Sequence, residues 1–143
     1  MFTTLIVEDN ALFRRSLTEL LARHFPFMRI DEAKDGSQAK EMLQDRCPDL
    51  IFMDIKLPGE NGLELTRAIK QPYKKPIIVT ITNYDLPEYR EAAYRYGATH
   101  FIGKGTSSRH EIVSAVEAIL AELGLDWKAE IGKKRAESNP VYH

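Results

Sequence analysis

Pro48-Asp49-Leu50-Ile51-Phe52-Met53-Asp54 is the stretch whose reading decides the fold. Ile51, Phe52 and Met53 are apolar without a break, as in a strand covered on both faces. Asp54 closes the run, and Ile55-Lys56-Leu57-Pro58-Gly59-Glu60-Asn61-Gly62 follows at once with turn-forming residues. A strand buried on both faces belongs to a parallel sheet flanked by helices. In open sheets of that kind, ligands bind and react at the carboxyl ends of the strands. Asp54 also has an ordinary reading, a solvated carboxylate that ends a strand, and the flanking sequence has to discriminate.

Working outward, the same unit recurs. Upstream, Thr4-Leu5-Ile6-Val7 is a short β-branched run stopped by Glu8-Asp9-Asn10, and Asn10 is a good helix N-cap. Phe13, Leu17, Leu20 and Leu21 recur at helical spacing, which predicts a helix from Ala11 to Arg23, broken by Pro26. Met28 to Ala33 reads as a second strand. Ala39, Leu43 and Cys47 mark one face of a second helix, which Pro48 ends. Downstream of Asp54, Leu65 and Ile69 predict a short third helix ended at Gln71-Pro72. Pro76 to Thr82 reads as a fourth buried strand. Pro87 suits the first turn of a fourth helix carrying Tyr89, Ala92, Ala93 and Tyr96, with Gly97 as its C-terminal cap. Thr99 to Ile102 reads as a fifth strand. Ser108-Arg109-His110-Glu111 has capping-box form, and Ile112, Val116, Ile119, Leu120 and Leu123 stripe a fifth helix. The order is βα five times, a doubly wound α/β arrangement with a central parallel sheet. The domain is expected over residues 1–123. Residues 124–143 lack a sustained apolar period and are expected to form a mobile or weakly helical tail.

The chain has 143 residues, a formal net charge of −1, 43% apolar and 29% charged residues. One domain with a substantial core is expected at that length. The charge balance gives no footprint for nucleic acid or acidic lipid. No signal-peptide pattern opens the chain, and no apolar run approaches the roughly 18 residues of a membrane span. Cys47, the single cysteine, excludes an internal disulfide and a cysteine zinc site and fits a reducing cytoplasm. It reads as core filler beside Pro48.

Four features fall at carboxyl ends of predicted strands: Glu8-Asp9, Asp54, Thr82 and Lys104. A parallel sheet brings those ends to one edge. Crowded carboxylates repel, and a hard divalent cation offsets that repulsion; Mg²⁺ takes carboxylates, waters and phosphate oxygens. A lysine and a threonine alongside suit a phosphoryl group, and an aspartate beside a metal and a cation can accept one by nucleophilic attack. Each feature alone has a plain reading: helix N-terminal charges for Glu8-Asp9, a strand threonine, a surface lysine. Their joint placement on one edge favours a site.

The chain resembles the receiver domains of bacterial two-component response regulators from about Thr3 to Leu123. The resemblance rests on Leu5-Ile6-Val7-Glu8-Asp9-Asn10, on Pro48 to Gly59, on Asn61-Gly62, on Gly97-Ala98 and on Phe101-Ile102-Gly103-Lys104. It implies a flavodoxin-like (βα)5 fold with strand order 2-1-3-4-5. It implies that Asp54 accepts a phosphoryl group from the phosphohistidine of a sensor histidine kinase. Glu8, Asp9, Asp54 and the backbone carbonyl of Lys56 would hold Mg²⁺, and Lys104 would pair with the phosphoryl group. Thr82 would be the switch hydroxyl and Phe101 the aromatic that turns inward with it. Thr80 shares a strand face with Thr82; Thr82 is preferred because the strand ends there, at Asn83. Gly105 stands where many receivers have proline after the lysine, and Phe101 has no hydroxyl with which to report the switch.

Other readings compete. Gly103-Lys104-Gly105-Thr106 fails the P-loop spacing, because position 98 is alanine and Gly105 follows the lysine. An aspartyl-nucleophile phosphatase usually has a second acid two residues after the nucleophile, and that position is Lys56. A receiver-like module that binds partners without being phosphorylated is a third reading. The expected molecule is a signalling phosphoacceptor rather than an enzyme, in the cytoplasm and without a membrane partner. It would signal to a downstream protein or through an output domain in a longer chain, with homodimerisation open. Nucleic acid enters only through such an output domain; the basic stretch Lys133, Lys134 and Arg135 reads as a solvated end. The fourth helix and fifth strand, with Tyr84, Tyr89, Tyr94 and Tyr96 nearby, form the expected partner face.

Overall fold

The computed structural model describes residues 1–105, 109–129 and 132. Its elements are β1 (Thr3–Val7), α1 (Ala11–His24), β2 (Arg29–Ala33), α2 (Gly36–Asp45), β3 (Leu50–Met53), β4 (Lys56–Leu57), β5 (Glu60–Asn61), α3 (Gly62–Lys70), β6 (Ile77–Thr82), α4 (Pro87–Tyr96), β7 (His100–Gly103) and α5 (Arg109–Glu122). The main sheet has five strands in the order β2-β1-β3-β6-β7, with every ladder parallel. Numbered among themselves, these strands run 2-1-3-4-5, the flavodoxin-like order.

Strand alternation sorts the core into two layers. Leu5, Val7, Ile51, Met53 and Ile78 pack with Ala39, Leu43, Leu65, Ile69 and Ala93 of α2, α3 and α4. Ile6, Leu50, Phe52, Val79 and Ile81 pack with Leu17, Leu21, Val116 and Leu120 of α1 and α5. Both faces of β3 are therefore covered, and all four of its residues are buried. That is why the Asp54 run reads as an unbroken apolar patch.

Local chemistry fixes the helix starts. The Asn10 side chain accepts the Phe13 N–H at 3.0 Å, Asp35 accepts that of Gln38 at 2.8 Å and Asn61 that of Leu63 at 2.7 Å. α4 has no side-chain cap but begins at Pro87, and it ends at Gly97 with φ 120°. Ser108 of the expected capping box lies outside the described residues, as do Lys133, Lys134 and Arg135.

Three details differ from expectation. The segment after Asp54 is not only loop: β4 and β5 pair antiparallel around Pro58-Gly59, with Gly59 at φ 68°. Cys47 lies beyond the end of α2 and is half-buried, so it is not part of that helix face. Leu123 is 49% exposed, while Val113 joins the α5 stripe. The helix stops at Glu122, and Gly124 at φ 72° turns the chain back. The Leu125 N–H then donates to the Leu120 carbonyl at 3.0 Å, and Leu125 and Trp127 pack against the α1–α5 layer. No helix among the described residues is long and apolar enough to cross a membrane.

Candidate functional site

The ladders bring the sequence-predicted acids together. Val7 is level with Met53, and the next residue on each strand is Glu8 and Asp54. Hydrogen bonds past the strand ends hold them there: Glu8 N to the Ala33 carbonyl at 2.9 Å and Asp54 N to the Val7 carbonyl at 3.1 Å. Each of Glu8, Asp9 and Asp54 has a carboxylate oxygen within 4.8 Å of the other two. Glu8 and Asp54 are buried and Asp9 is exposed, so the cluster opens to solvent on one side.

Lys104, the residue after β7, closes it. Its own N–H donates to the Thr82 carbonyl at 2.8 Å, which fixes the backbone. Its Nζ donates to Asp54 Oδ2 at 3.0 Å and also to Glu8 Oε1. The three side chains are 8% (Lys104), 2% (Glu8) and 7% (Asp54) exposed, so solvent screens their charges little. Burial, with Asp54 alongside, pushes the Glu8 carboxyl up to about 7. Burial works against the Lys104 ammonium, but the hydrogen bonds it donates to Glu8 and Asp54, with their negative charge, outweigh it and raise its pKa.

A cation fits this donor set. Asp54 Oδ1 is buried and has no hydrogen-bond partner, an expensive condition for a carboxylate oxygen unless a ligand completes it. All-oxygen donors of this kind suit a hard divalent ion. Lys56, the remaining expected contributor, begins β4 and is exposed; its ammonium lies 5.7 Å from the Tyr84 ring centroid.

The residues expected to form the switch lie on the other strand face. Thr80 and Thr82 alternate onto the α4 side of β6, and Thr80 is level with Phe101 of β7. The Thr82 hydroxyl oxygen accepts the Tyr84 N–H at 3.2 Å and is not bonded to Asp54. Thr80 Oγ1 is buried without a partner. Phe101 is buried at 7% exposure, with the Arg90 guanidinium of α4 at 4.8 Å from its ring centroid. The tyrosines divide. Tyr84 and Tyr94 are 38% and 45% exposed, whereas Tyr89 and Tyr96 pack against the core.

Three site residues were not singled out from sequence. Arg14 Nη1 donates to the Glu8 carbonyl at 2.8 Å and its Nε to Glu32 at 2.9 Å, so α1 clamps the acidic loop to β2. Phe13, one residue earlier, has its ring centroid 4.4 Å from Lys104 Nζ. Gly62 donates its N–H to the Ile55 carbonyl at 2.6 Å, and a Cβ there would overlap the Asp54 carbonyl oxygen. The Asn10 cap is the sequence signal that could have pointed to Phe13 and Arg14, because it sets which residues of the first turn face the Glu8 loop.

Fold and site together define a class: a doubly wound α/β protein of flavodoxin type with an acid–lysine cluster at the carboxyl edge of its sheet. The chain belongs to the response regulator receiver domain family, whose model matches residues 4–117. It is 32% identical over 123 residues to an uncharacterised response regulatory protein of Vibrio cholerae, covering 85% of this chain and 46% of that one. It is 36% identical over 104 residues to the sensory transduction protein LytT of Bacillus subtilis, covering 73% and 42%. Among solved structures, a two-component response regulator of the LuxR family from Aurantimonas superposes with TM-score 0.77 at 31% identity, covering 94% and 97%. The chain spans about half the length of the curated relatives it matches. It is a response regulator receiver of the two-component type, and its family is a signalling family.

Proposed function

We propose that this receiver takes a phosphoryl group onto Asp54 from the phosphohistidine of a sensor histidine kinase, with Mg²⁺ as its cation. One observation carries the reading: Asp54 is a buried carboxylate with an unpartnered oxygen, bonded to Lys104 and grouped with two further carboxylates. Glu8, Asp9, Asp54 and the Lys56 carbonyl would hold the ion. Mg²⁺, when bound, offsets negative charge on the carboxylates and on phosphoryl oxygens.

The chain's own residues do the rest. One Asp54 oxygen forms the new O–P bond as the donor's N–P bond breaks. The electron pair stays on the imidazole nitrogen, which takes a proton from solvent. Lys104, already bonded to Asp54, turns its ammonium to the incoming phosphoryl oxygens. Thr82 then gives up its Tyr84 bond and donates its hydroxyl to the new dianion, and the α4–β7 face around Phe101 and Arg90 repacks. Aromatic Tyr84 and Tyr94 on that face would meet a downstream protein, an attached output domain or a second copy. The chain is a phosphoacceptor that assists its own phosphorylation rather than an enzyme, and it works in the cytoplasm. Residues 1–123 form the receiver and the remainder a tail, of which Leu125 and Trp127 pack against the α1–α5 layer.

Intact mass tests this directly. With Mg²⁺ and acetyl phosphate the protein should gain about 80 Da, one phosphoryl group. Asp54→Asn, which keeps the shape of the side chain, should not gain it, nor should the protein without Mg²⁺. No gain in the wild type, with kinase donors also failing, would leave a partner-binding module in which Asp54 is structural.

A further inference from the structure

We propose that Phe13 is a positioning residue for Lys104, holding its ammonium at Asp54 through the face of the ring. This rests on Asp54 and Lys104 acting as described above. Lys104 Nζ sits 4.4 Å from the Phe13 ring centroid, inside the roughly 6 Å range in which an ammonium is attracted by an aromatic quadrupole. The lysine side chain is 8% exposed, so the attraction acts with little competition from water. Glu8 and Asp54 are its other partners.

The backbone that carries the ring is fixed. The Phe13 N–H is bound by the Asn10 cap at 3.0 Å, and the next residue, Arg14, is anchored to the Glu8 carbonyl. Helix and acidic loop therefore place the ring as one unit. Gly105, which follows Lys104, is exposed and has no side chain to brace it. When Glu8 is taken up by a cation, Lys104 loses one of its two anionic partners. The ring is then what keeps the ammonium over Asp54 and ready for phosphoryl oxygens, rather than free along its four-carbon stem. A cavity of about 120 Å³ lined by Phe13, Ser16, Leu17, Ile102 and Lys104 adjoins the ring and has room for a larger aromatic.

The test compares Phe13→Leu, Phe13→Tyr and Phe13→Trp with the wild type. Phe13→Leu keeps apolar bulk and removes the quadrupole. Phosphoryl uptake from acetyl phosphate should slow by about three- to thirty-fold in Phe13→Leu and stay near the wild-type rate in the two aromatic variants. Purely structural packing predicts that leucine would serve as well as tyrosine. In parallel, proton NMR should find the Lys104 ε-methylene resonances moved upfield by the ring current in wild type and Phe13→Trp but not in Phe13→Leu. Uptake by Phe13→Leu at the wild-type rate, or no upfield shift in the wild type, would overturn the role of Phe13. A wild type that takes up no phosphoryl group while showing the shift would overturn the phosphoacceptor reading and leave the ring contact standing.

Discussion

Gly62 has no room for a side chain. An added Cβ would overlap the backbone carbonyl of Asp54, and that backbone cannot yield without moving the cluster it carries. Gly62→Ala should cost about 2 kcal/mol or more, the usual penalty of overpacking in a close-packed interior. Urea denaturation should read the loss as a lower midpoint with an unchanged slope. Glu8 makes a different prediction at the same scale. Its carboxyl ordinarily titrates near 4.5 and is pushed up to about 7 in the fold. Between those values the metal-free folded protein holds a proton that the unfolded chain releases. Stability from this group is therefore full below about 4.5 and is lost as pH rises through about 7. Glu8→Gln should remove that slope. Denaturation of both proteins at pH 5 and pH 8 in a chelator, without divalent ions, would check it: the wild type should weaken more than the variant between the two. Equal pH dependence would mean that Glu8 titrates as an ordinary exposed acid.

α1 is the element that serves the site most directly, because its first turn supplies the Asn10 cap, the Phe13 ring and the Arg14 clamp. Arg14→Ala should loosen the Glu8–Asp9 loop. By analogy with residues that orient metal ligands from behind, Mg²⁺ affinity should fall about ten-fold. Arg14→Lys should not restore it, since the fork that spans the Glu8 carbonyl and Glu32 needs a guanidinium; calorimetric Mg²⁺ titration measures both. These contacts also mark where sequence reading stops. The strands, the helices and the convergence of Glu8, Asp54 and Lys104 were legible because each leaves a periodic or punctuated trace. Phe13 looked like one more member of the Leu17, Leu20 and Leu21 stripe, and Arg14 lies outside that apolar period. What distinguishes them is a partner on another strand, and no local pattern encodes that. The β4–β5 hairpin escaped for a related reason: two residues a side carry no alternation to read. Leu123 kept the helical period but fell at the turn, where Gly124 ends the helix.

At the scale of the whole molecule, the two edges of the sheet are different places. The acids and Lys104 lie at the carboxyl edge. The amino edge carries an aromatic cluster in which Phe25 packs edge-on to Phe27 and Trp127, with ring centroids 6.3 Å and 5.5 Å away. Trp127 is the single tryptophan, so its fluorescence reports that edge alone. Between them lie the two buried layers of the sheet, with Phe25 and Phe52 in one and Met53, beside Asp54, in the other, and a small domain of this kind should unfold as a unit. Two consequences follow from that separation. Adding Mg²⁺ to the native protein should leave the Trp127 emission unchanged, because the ring packs against Phe25 at the edge opposite the acids. The same ion should still raise the unfolding free energy that Trp127 reports, by about 2.7 kcal/mol at a hundred times the dissociation constant, because binding to the folded state alone shifts the whole equilibrium. Asp54→Ala, which removes a proposed ligand of the ion, should abolish most of that gain at the same ion concentration. A native emission change on Mg²⁺ addition would mean that the two edges are coupled within the folded state. An unchanged midpoint would mean either that the ion does not bind the carboxyl edge or that the amino edge unfolds separately from it. Circular dichroism recorded through the same titration distinguishes these, since separate unfolding gives two transitions and failure to bind gives one.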